Sequence, residues 1–169
     1  PYAEVISGYT SWYLGVKSVL PKVQMLVTYT NEWYDEVKEK TAAETLIKEG
    51  CELISQHADS LGAPNACRLK EIPNVSYNVN TVEMEPLCAN TYVGHSRINW
   101  KPYYDKAIEA ASKGAETPVE GEVEQNWTGT LGTGSVEYNV SELVPDKINI
   151  ENAEAALKAG KLHVFDCNK

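Results

Sequence analysis

The sequence predicts an α/β domain built on a doubly wound, mostly parallel sheet with helices on both faces. Three observations lead to this fold class. Short segments rich in β-forming residues alternate along the chain with amphipathic helical stretches. Polar residues collect directly after the predicted strands. The length of 169 residues suits one domain with a sizeable core. We therefore treat residues 1–169 as a single domain.

The amino-terminal elements are predicted from hydrophobic periodicity. Apolar residues spaced from Trp12 to Leu20 form one helical face, which places Trp12 in the core, and Pro21 stops this helix. Residues 23–29 are predicted to form a strand because β-forming residues dominate them. A helix begins near Glu36, and Gly50 is its expected carboxyl-terminal cap. The apolar pair at residues 5–6 is too short for a strand, so we expect the chain to begin just after an opening strand.

The remaining elements continue the alternation of strand and helix. Cys51 is interpreted as a buried residue of a short strand, and Pro64 is placed in the first turn of the next helix. Residues 129–134 are a glycine-rich turn without either phosphate-binding spacing, so no phosphate cradle is predicted. The other predictions are strands at 51–55, 75–77, 91–96, 123–128, 135–138 and 162–165, helices at 61–69, 100–112 and 153–159, and a loop at 113–120.

Charge and composition exclude several classes of function. The net charge of −9 leaves no basic stripe for nucleic acid or for an anionic membrane surface. No run of about 18 apolar residues is present, so this segment is not expected to insert into a membrane. The chain starts at Pro1 rather than Met, and we interpret it as a piece of a longer gene product. Four cysteines lack metal-binding spacing, and whether they form disulfides stays open: Cys51, Cys67, Cys88 and Cys167.

Four polar turns are predicted at one edge of the sheet. Each follows the carboxyl end of a predicted strand, and parallel strands end at the same edge. Aromatic faces combined with a few fixed polar groups are typical of a small-molecule site, in which indole stacks on a flat heterocycle. The candidate ligand-binding residues are Asn31, Trp33, Asp35, His57, Asp59, Asn78, Asn80 and Trp100.

Each candidate also has a purely structural interpretation. Asp35 could be a helix N-cap, and Asn78 and Asn80 could shape a turn because asparagine tolerates left-handed geometry. His57 could be a hydrogen-bonded loop residue, and Trp100 could belong to the core. The coincidence of four polar turns at one edge favours the functional interpretation.

Catalysis and metal binding have little support in the sequence. No GxSxG motif is present, and sequence neighbours do not make a catalytic triad. His57, Asp59 and His95 could supply metal ligands, but their spacing matches no metal-site signature. We expect no catalytic residues, no metal and no cofactor.

Several segments together resemble the basic membrane protein (BMP, Med-like) lipoproteins, which are substrate-binding proteins of ABC transporters. The resemblance rests on order and spacing, since no single block is diagnostic. It covers almost the whole chain. The similar blocks are Thr30-Asn31-Glu32-Trp33-Tyr34-Asp35, residues 54–60, Tyr77-Asn78-Val79-Asn80, Asn99-Trp100-Lys101-Pro102-Tyr103-Tyr104, and a closing segment from Trp127 to Phe165.

The resemblance implies one lobe of a type I periplasmic-binding-protein fold, mainly the carboxyl-terminal lobe, with the amino-terminal lobe absent. It implies the solute-binding component of an ABC importer, which binds a purine nucleoside or similar heterocycle between two lobes without chemistry. The implied partners are this ligand and an ABC permease. The implied location is extracytoplasmic, with a lipid anchor on the missing amino terminus. The alternatives are the sensing lobe of a regulator or membrane sensor, and an enzyme acting on nucleosides.

Carried over by position, the resemblance makes Trp33 the stacking aromatic and the other candidates members of the neighbouring turns. Three positions depart from the family pattern. Asn80 replaces a usual Asp that suits ribose hydroxyls, and Lys101 replaces a common Gly. Residues 131–135 lack the usual Lys-Asp-Gly.

Overall fold

A computed structural model describes residues 2–114 and 127–165. The described chain forms α-helices, a single-turn 3₁₀ helix at Pro86–Asn90, and short strands. The helices are α1 (Ala3–Val19), α2 (Glu36–Lys48), α3 (Gly62–Lys70), α4 (Thr81–Met84), α5 (Lys101–Ser112) and α6 (Ile148–Lys158). The strands are β1 (Ile54–Ser55), β2 (Asn74–Tyr77), β3 (Tyr92–Ile98) and β4 (Val136–Val140).

The strands form one sheet in the order β1-β2-β3-β4. β1 pairs with β2 and β2 with β3 in parallel, whereas β4 runs antiparallel to β3. Helix α3 connects β1 to β2, as expected for parallel neighbours that need a crossover. The predicted α/β class and mostly parallel sheet are confirmed.

Helices α2 and α3 pack closely against each other beside β1. Their contact is formed by small side chains, including Ala43, Ala63 and Ala66, which are at most 4% exposed. Ile54 of β1 and Cys67 complete this buried cluster. Gly62 makes the close approach possible, because a Cβ there would lie 2.8 Å from the backbone nitrogen of Lys40.

A buried polar network ties β1 to β2 from inside the sheet. The Asn74 side chain is 1% exposed, and its Nδ2 donates to the carbonyl oxygen of Ile54 at 3.2 Å. Its Oδ1 accepts from Ser76 Oγ at 2.9 Å. Because these buried groups have partners, they stabilise the strand pair rather than incur an uncompensated desolvation cost.

The helix predicted from Glu36 is confirmed, and so is its cap. Gly50 has a φ of +93°, a left-handed conformation that glycine adopts without strain. Its N–H donates to Ile47 and the N–H of Cys51 donates to Leu46, which is the Schellman arrangement. Pro64 lies in the first turn of α3, as predicted. Gly160, with a φ of +64°, follows α6 in the same way.

The predicted strand at residues 23–29 is not formed. These residues belong to no helix or strand, and in the described chain their one backbone hydrogen bond runs from the N–H of Val23 to Leu20. A strand is defined by pairing with a neighbour, and β-forming side chains alone do not supply that neighbour. The apolar pair at residues 5–6 lies inside α1, and Trp12 is half-buried rather than in a core.

Several carboxyl-terminal predictions are also wrong. Residues 162–165 form no strand, and neither do residues 127–128. β4 pairs antiparallel with β3 and forms an edge of the sheet. β1 is shorter than predicted, so Cys51 precedes it and is half-buried. Cys51, Cys67 and Cys88 are free thiols. Cys167 and residues 115–126 lie outside the described residues.

The close approach at Gly62 gives a test of the α2–α3 contact. Replacing Gly62 with Ala should destabilise the domain by about 1–3 kcal/mol, because the new methyl group overlaps the backbone of α2. The measurement is the midpoint of thermal unfolding. Gly15→Ala is the matched control, because nothing lies within 4 Å of its Cβ position. The control should be neutral or stabilising by up to about 1 kcal/mol, and equal effects of both changes would contradict the packing argument.

Candidate functional site

Four aromatic rings line up beside the carboxyl ends of β1 and β2; we call Tyr2, Trp33, His57 and Tyr77 the aromatic row. Tyr2 stacks on Trp33 with ring centroids 5.4 Å apart and planes 7° apart. The Trp33 and His57 rings are 6.4 Å apart. His57 stacks on Tyr77 at 4.5 Å and 14°. The row presents flat apolar faces at the sheet edge where ligands bind in α/β folds.

Trp33 lies in a loop whose shape is set by local contacts. Asn31 adopts a left-handed φ of 59°, and Thr30 Oγ1 donates to the Glu32 carbonyl oxygen at 3.1 Å. Asp35 then caps α2 by accepting from the Lys38 N–H at 2.9 Å. That hydrogen bond, together with the charge of Lys38, lowers the pKa of Asp35. Asp35 is therefore the N-cap of α2, as one of its two interpretations predicted. The cap also fixes the end of the loop.

The turn after β1 places His57 and Asp59. Gln56 Nε2 donates to the carbonyl oxygens of Ala58 and Ser60, at 2.9 and 3.1 Å, and so holds the turn closed. Helix α1 passes close by, because a Cβ at Gly8 would lie 3.3 Å from His57 Nδ1.

Asp59 is the electrostatically unusual member of the group. Its Oδ1 is buried and has no hydrogen-bond partner within the described residues. Burial raises the pKa of Asp59, and the nearby His57 only partly opposes this effect. The Asp59 charge in turn contributes to a raised pKa of Tyr77, after burial. The Oδ1 oxygen is fully buried, and Asp59 lines neither of the two cavities described below, so the oxygen is not accessible to a ligand in either of them.

A large cavity opens beside the aromatic row, with a volume of about 1670 Å³. Asn31, Trp33, His57 and Tyr77 line it, whereas Asp35 and Asp59 do not. The structure therefore brings three of the eight predicted residues to this cavity and keeps Asp59 close behind His57. Tyr2 and Tyr77 were not predicted as site residues. The sequence around each of them contains no pattern that indicates a contact with another aromatic ring.

Asn78 and Asn80 line a second, smaller cavity of about 460 Å³. Asn78 has a left-handed φ of 65°, and its Oδ1 accepts from the Ile98 N–H at 3.3 Å. Asn80 caps α4 by accepting from the Val82 N–H at 3.1 Å. Both asparagines thus shape the turn after β2, which agrees with the structural interpretation given above. Both also border a polar cavity.

An ion pair forms the far wall of the second cavity. Arg97 NH2 lies 2.6 Å from Glu137 Oε2, and Asn99 Nδ2 donates to the other carboxylate oxygen at 2.8 Å. The Arg97 hydrogen bond lowers the pKa of Glu137. Arg97 lies near the end of β3, and Glu137 of β4 could be recognised as its partner only once β4 was known to pair with β3.

Trp100 is set apart from the other candidates. It is 56% exposed and its ring contacts Tyr103 and Tyr104 of α5. It lines neither cavity. The core interpretation of Trp100 is therefore wrong.

Residues 2–114 and 127–165 contain no group of three or more His, Cys, Asp or Glu side chains that could hold a metal ion. The ring of His95 is engaged otherwise, with Nδ1 at 2.5 Å from the Tyr92 hydroxyl. Burial lowers the pKa of His95, which favours a neutral ring at pH 7. In the same described ranges, no helix combines the length and apolarity needed to cross a membrane.

Comparison with known protein families identifies the family to which this chain belongs. The sequence model of the Bmp family, described as ABC transporter substrate-binding protein, PnrA-like, matches residues 1–161. The chain belongs to the Bmp family. This confirms the resemblance found in the sequence. The family is one of transporter substrate-binding proteins rather than of enzymes, and such proteins work outside the cytoplasm.

Individual relatives agree with this assignment. A purine-binding protein of Brucella abortus is 30% identical over 98% of this chain and 45% of its own length. A putative ABC transporter glucose-binding protein of Haloferax volcanii is 29% identical over 68% of this chain and 29% of its own length. A solved ABC transporter solute-binding protein from Conexibacter woesei shares the fold, with a TM-score of 0.67 and 22% identity over 90% of this chain and 51% of that one. The Bmp chain described here thus spans about half or less of these proteins.

The buried carboxyl of Asp59 gives a pH-dependent prediction. Its pKa is raised by folding, so folding favours the protonated form. The unfolding free energy should therefore fall as pH rises from about 4, the unfolded aspartate value, through the raised pKa. Asp59→Asn should unfold at a higher temperature than the parent at pH 7, and this difference should shrink as pH approaches 4.

Asp105→Asn is the matched control for the Asp59 change. Asp105 lies in an exposed i, i+4 pair with Lys101, so its replacement should change the melting temperature little. Thermal unfolding monitored between pH 4 and 7 measures both variants. A lower melting temperature for Asp59→Asn at pH 7 would mean that Asp59 has a stabilising partner.

Proposed function

We propose that this Bmp chain is the carboxyl-terminal ligand-binding lobe of an ABC importer's substrate-binding protein, and that its ligand is a purine nucleoside or a similar flat heterocycle. The observation that carries the proposal is the aromatic row at the carboxyl edge of the sheet. Trp33 is 55% exposed and lines the large cavity, whereas the equally exposed Trp100 lines neither cavity. The purine-binding relative supports the choice of heterocycle.

The chemistry of the row suits a purine. A purine has two flat faces that stack on indole, and stacking of a base on an aromatic side chain contributes about 1–3 kcal/mol. It also carries ring N–H groups and, in a nucleoside, sugar hydroxyls. Asn31 contributes both a donor and an acceptor at the cavity rim.

The second polar cavity offers a place for the sugar or another polar part of the ligand. Asn78 and Asn80 border it together with the Arg97–Glu137 pair. The amide of Asn80 carries no charge, so recognition of a ribose there depends on neutral hydrogen bonds. This makes the base, held by Trp33, the more important determinant of affinity.

We propose that a second lobe supplies the opposite wall of the site. The chain spans 45% of the purine-binding relative, which leaves room for a lobe of similar size. Closure of two lobes around a ligand excludes water and creates the surface that a permease recognises. In this proposal the complete protein is held at the outer face of the membrane by a lipid anchor on its amino terminus.

Replacing Trp33 tests the site directly. In the polypeptide that carries both lobes, Trp33→Ala should weaken binding of guanosine, adenosine or inosine at least about fivefold, since about 1 kcal/mol or more of stacking is lost. Isothermal titration and thermal shift both report this change. Trp100→Ala is the matched control, because Trp100 is equally exposed and lines neither cavity. Unchanged binding in Trp33→Ala would show that this tryptophan has no role in binding.

The proposal also states that the ligand is released unchanged. Prolonged incubation of the two-lobed protein with a bound nucleoside should return only that nucleoside on chromatography. The appearance of free base in proportion to protein would instead indicate a nucleoside-cleaving enzyme. If no purine, pyrimidine or vitamin shifts the melting temperature, the proposed ligand class is wrong.

A further inference from the structure

His95 is a buried histidine that borders the second cavity. It is 8% exposed and lines both cavities. It lies in the middle of β3, where it pairs with Ser76 of β2 on one side and with Asn139 of β4 on the other. A ring held in this way between packed strands has little freedom to turn.

Tyr92 holds one nitrogen of this ring. Its hydroxyl lies 2.5 Å from His95 Nδ1, and Tyr92 is only 3% exposed. Burial raises the pKa of Tyr92 to about 12, so the hydroxyl keeps its proton at neutral pH. Burial, followed by the charge of Arg97, lowers the pKa of His95, and nearby Glu83 only partly opposes them. The neutral ring therefore carries one proton at neutral pH.

The proton of the His95 ring lies on Nε2. If Nδ1 carried it, the Tyr92 hydroxyl would have to donate to Asn139 Oδ1 instead, at 3.4 Å. Such a contact is longer than the roughly 2.5–3.0 Å of an ordinary O–H···O hydrogen bond, and the buried hydroxyl would be poorly satisfied. Donation from Tyr92 to Nδ1 satisfies both groups and leaves Nε2–H as the free donor of the ring.

This donor is accessible and has no protein partner. Within residues 2–114 and 127–165, the hydrogen bond of the His95 ring is the one at Nδ1. Unlike Asp59 Oδ1, Nε2 is not enclosed by protein. A ring that is more than nine-tenths buried thus keeps one N–H directed at a space that solvent or a ligand fills.

The groups around this donor favour an uncharged oxygen atom as its acceptor. Glu83 lines the second cavity, and its Oε1 accepts from Asn80 Nδ2 at 3.0 Å. Glu137, in the same cavity, is paired with Arg97. Carboxylates therefore outnumber cations in the lining, which disfavours a phosphate or another anion. A hydroxyl suits this place, because it accepts from Nε2–H and donates to an amide oxygen beside it.

We propose that His95 is a ligand-binding residue whose Nε2–H donates to a sugar hydroxyl in the second cavity, and that Tyr92 is the positioning residue that keeps the proton on Nε2. This inference rests on the proposed function, because it names the atom that holds the hydroxyl-bearing part of the ligand. The hydroxyl belongs either to the sugar of a nucleoside or to a separate sugar molecule, and the recognition chemistry is the same in both cases.

Nitrogen NMR of the histidine rings tests the role of Tyr92. In long-range ¹H–¹⁵N spectra at neutral pH, His95 should show a protonated Nε2 and an unprotonated Nδ1. Tyr92→Phe should shift this balance towards the other tautomer, because Nδ1 loses its donor. His163 is exposed and serves as the internal reference. A protonated Nδ1 in the parent protein, or a tautomer unchanged in Tyr92→Phe, would contradict the assigned role.

Two substitutions of His95 test the donor itself. In the polypeptide that carries both lobes, His95→Leu should weaken inosine binding about two- to tenfold, as expected for one lost hydrogen bond, and change binding of the free base hypoxanthine less than about twofold. His95→Gln keeps an amide donor near the position of Nε2 and should restore most of the inosine affinity. Isothermal titration measures each dissociation constant. His163→Leu is the matched control, because His163 is exposed and lines neither cavity.

Two results of this titration would overturn the role of His95. Unchanged inosine binding in His95→Leu would mean that Nε2 makes no hydrogen bond to the ligand. Equal weakening of inosine and hypoxanthine binding would mean that His95 acts through the fold rather than on the sugar.

A free sugar separates this inference from the ligand proposal. Inosine and ribose are added separately, at millimolar concentration, and the His95 Nε2 signal is followed. A shift with inosine assigns the hydroxyl to the nucleoside. A shift with ribose but not with inosine assigns it to a separate sugar, so the inference holds even though the nucleoside proposal fails. If neither compound moves the signal, His95 binds no sugar hydroxyl and the inference fails, whereas the titration of Trp33→Ala decides the proposed function independently.

Discussion

The parallel pairing of β1, β2 and β3 is the constraint on which the site depends. Because these strands run in one direction, the turns that follow them leave the sheet at the same edge. His57 and Tyr77, separated by 20 positions in sequence, meet there as stacked rings. The buried side chain of Asn74 fixes the pairing of β1 and β2, since its amide spans the two strands. Loss of this register would separate the rings without any change in the loops that carry them.

The site combines residues that stabilise the fold with residues that do not. Asp35, Asn78 and Asn80 satisfy backbone N–H groups and so hold the loops in place. Within residues 2–114 and 127–165, Asp59 Oδ1 has no hydrogen-bond partner, and the buried carboxyl opposes folding when charged. Proteins tolerate such groups where binding requires them. Trp33 is exposed and stacks on Tyr2, whereas Trp127 packs against Tyr103 and the Lys106 ammonium group.

Elements defined by local pattern were predictable, and elements that need a distant partner were not. The helix from Glu36 and its cap at Gly50 are encoded in adjacent residues, and both were found. Residues 23–29 have the side chains of a strand, but their pairing depends on a neighbour that the sequence of the segment does not specify. The common edge of the candidate turns followed from the predicted parallel direction of the strands. Ring contacts such as that of Tyr2 with Trp33 could not be predicted, because hydrophobic periodicity gives no information about contacts between separate loops.

The stack of Tyr2 on Trp33 affects how a ligand would bind at the proposed site. In the proposed site, a heterocycle that stacks on this face of the indole displaces the phenol ring of Tyr2, whose centroid is 5.4 Å away and whose plane is nearly parallel to the indole. The dispersion lost with the phenol offsets part of the dispersion gained, so the net stacking contribution lies at the low end of about 1–3 kcal/mol. Discrimination among guests of similar shape then comes from their rims, where nitrogen and oxygen atoms differ between one heterocycle and the next. In the proposed site, the tryptophan would select flat molecules as a class, and the polar groups around it would distinguish between them.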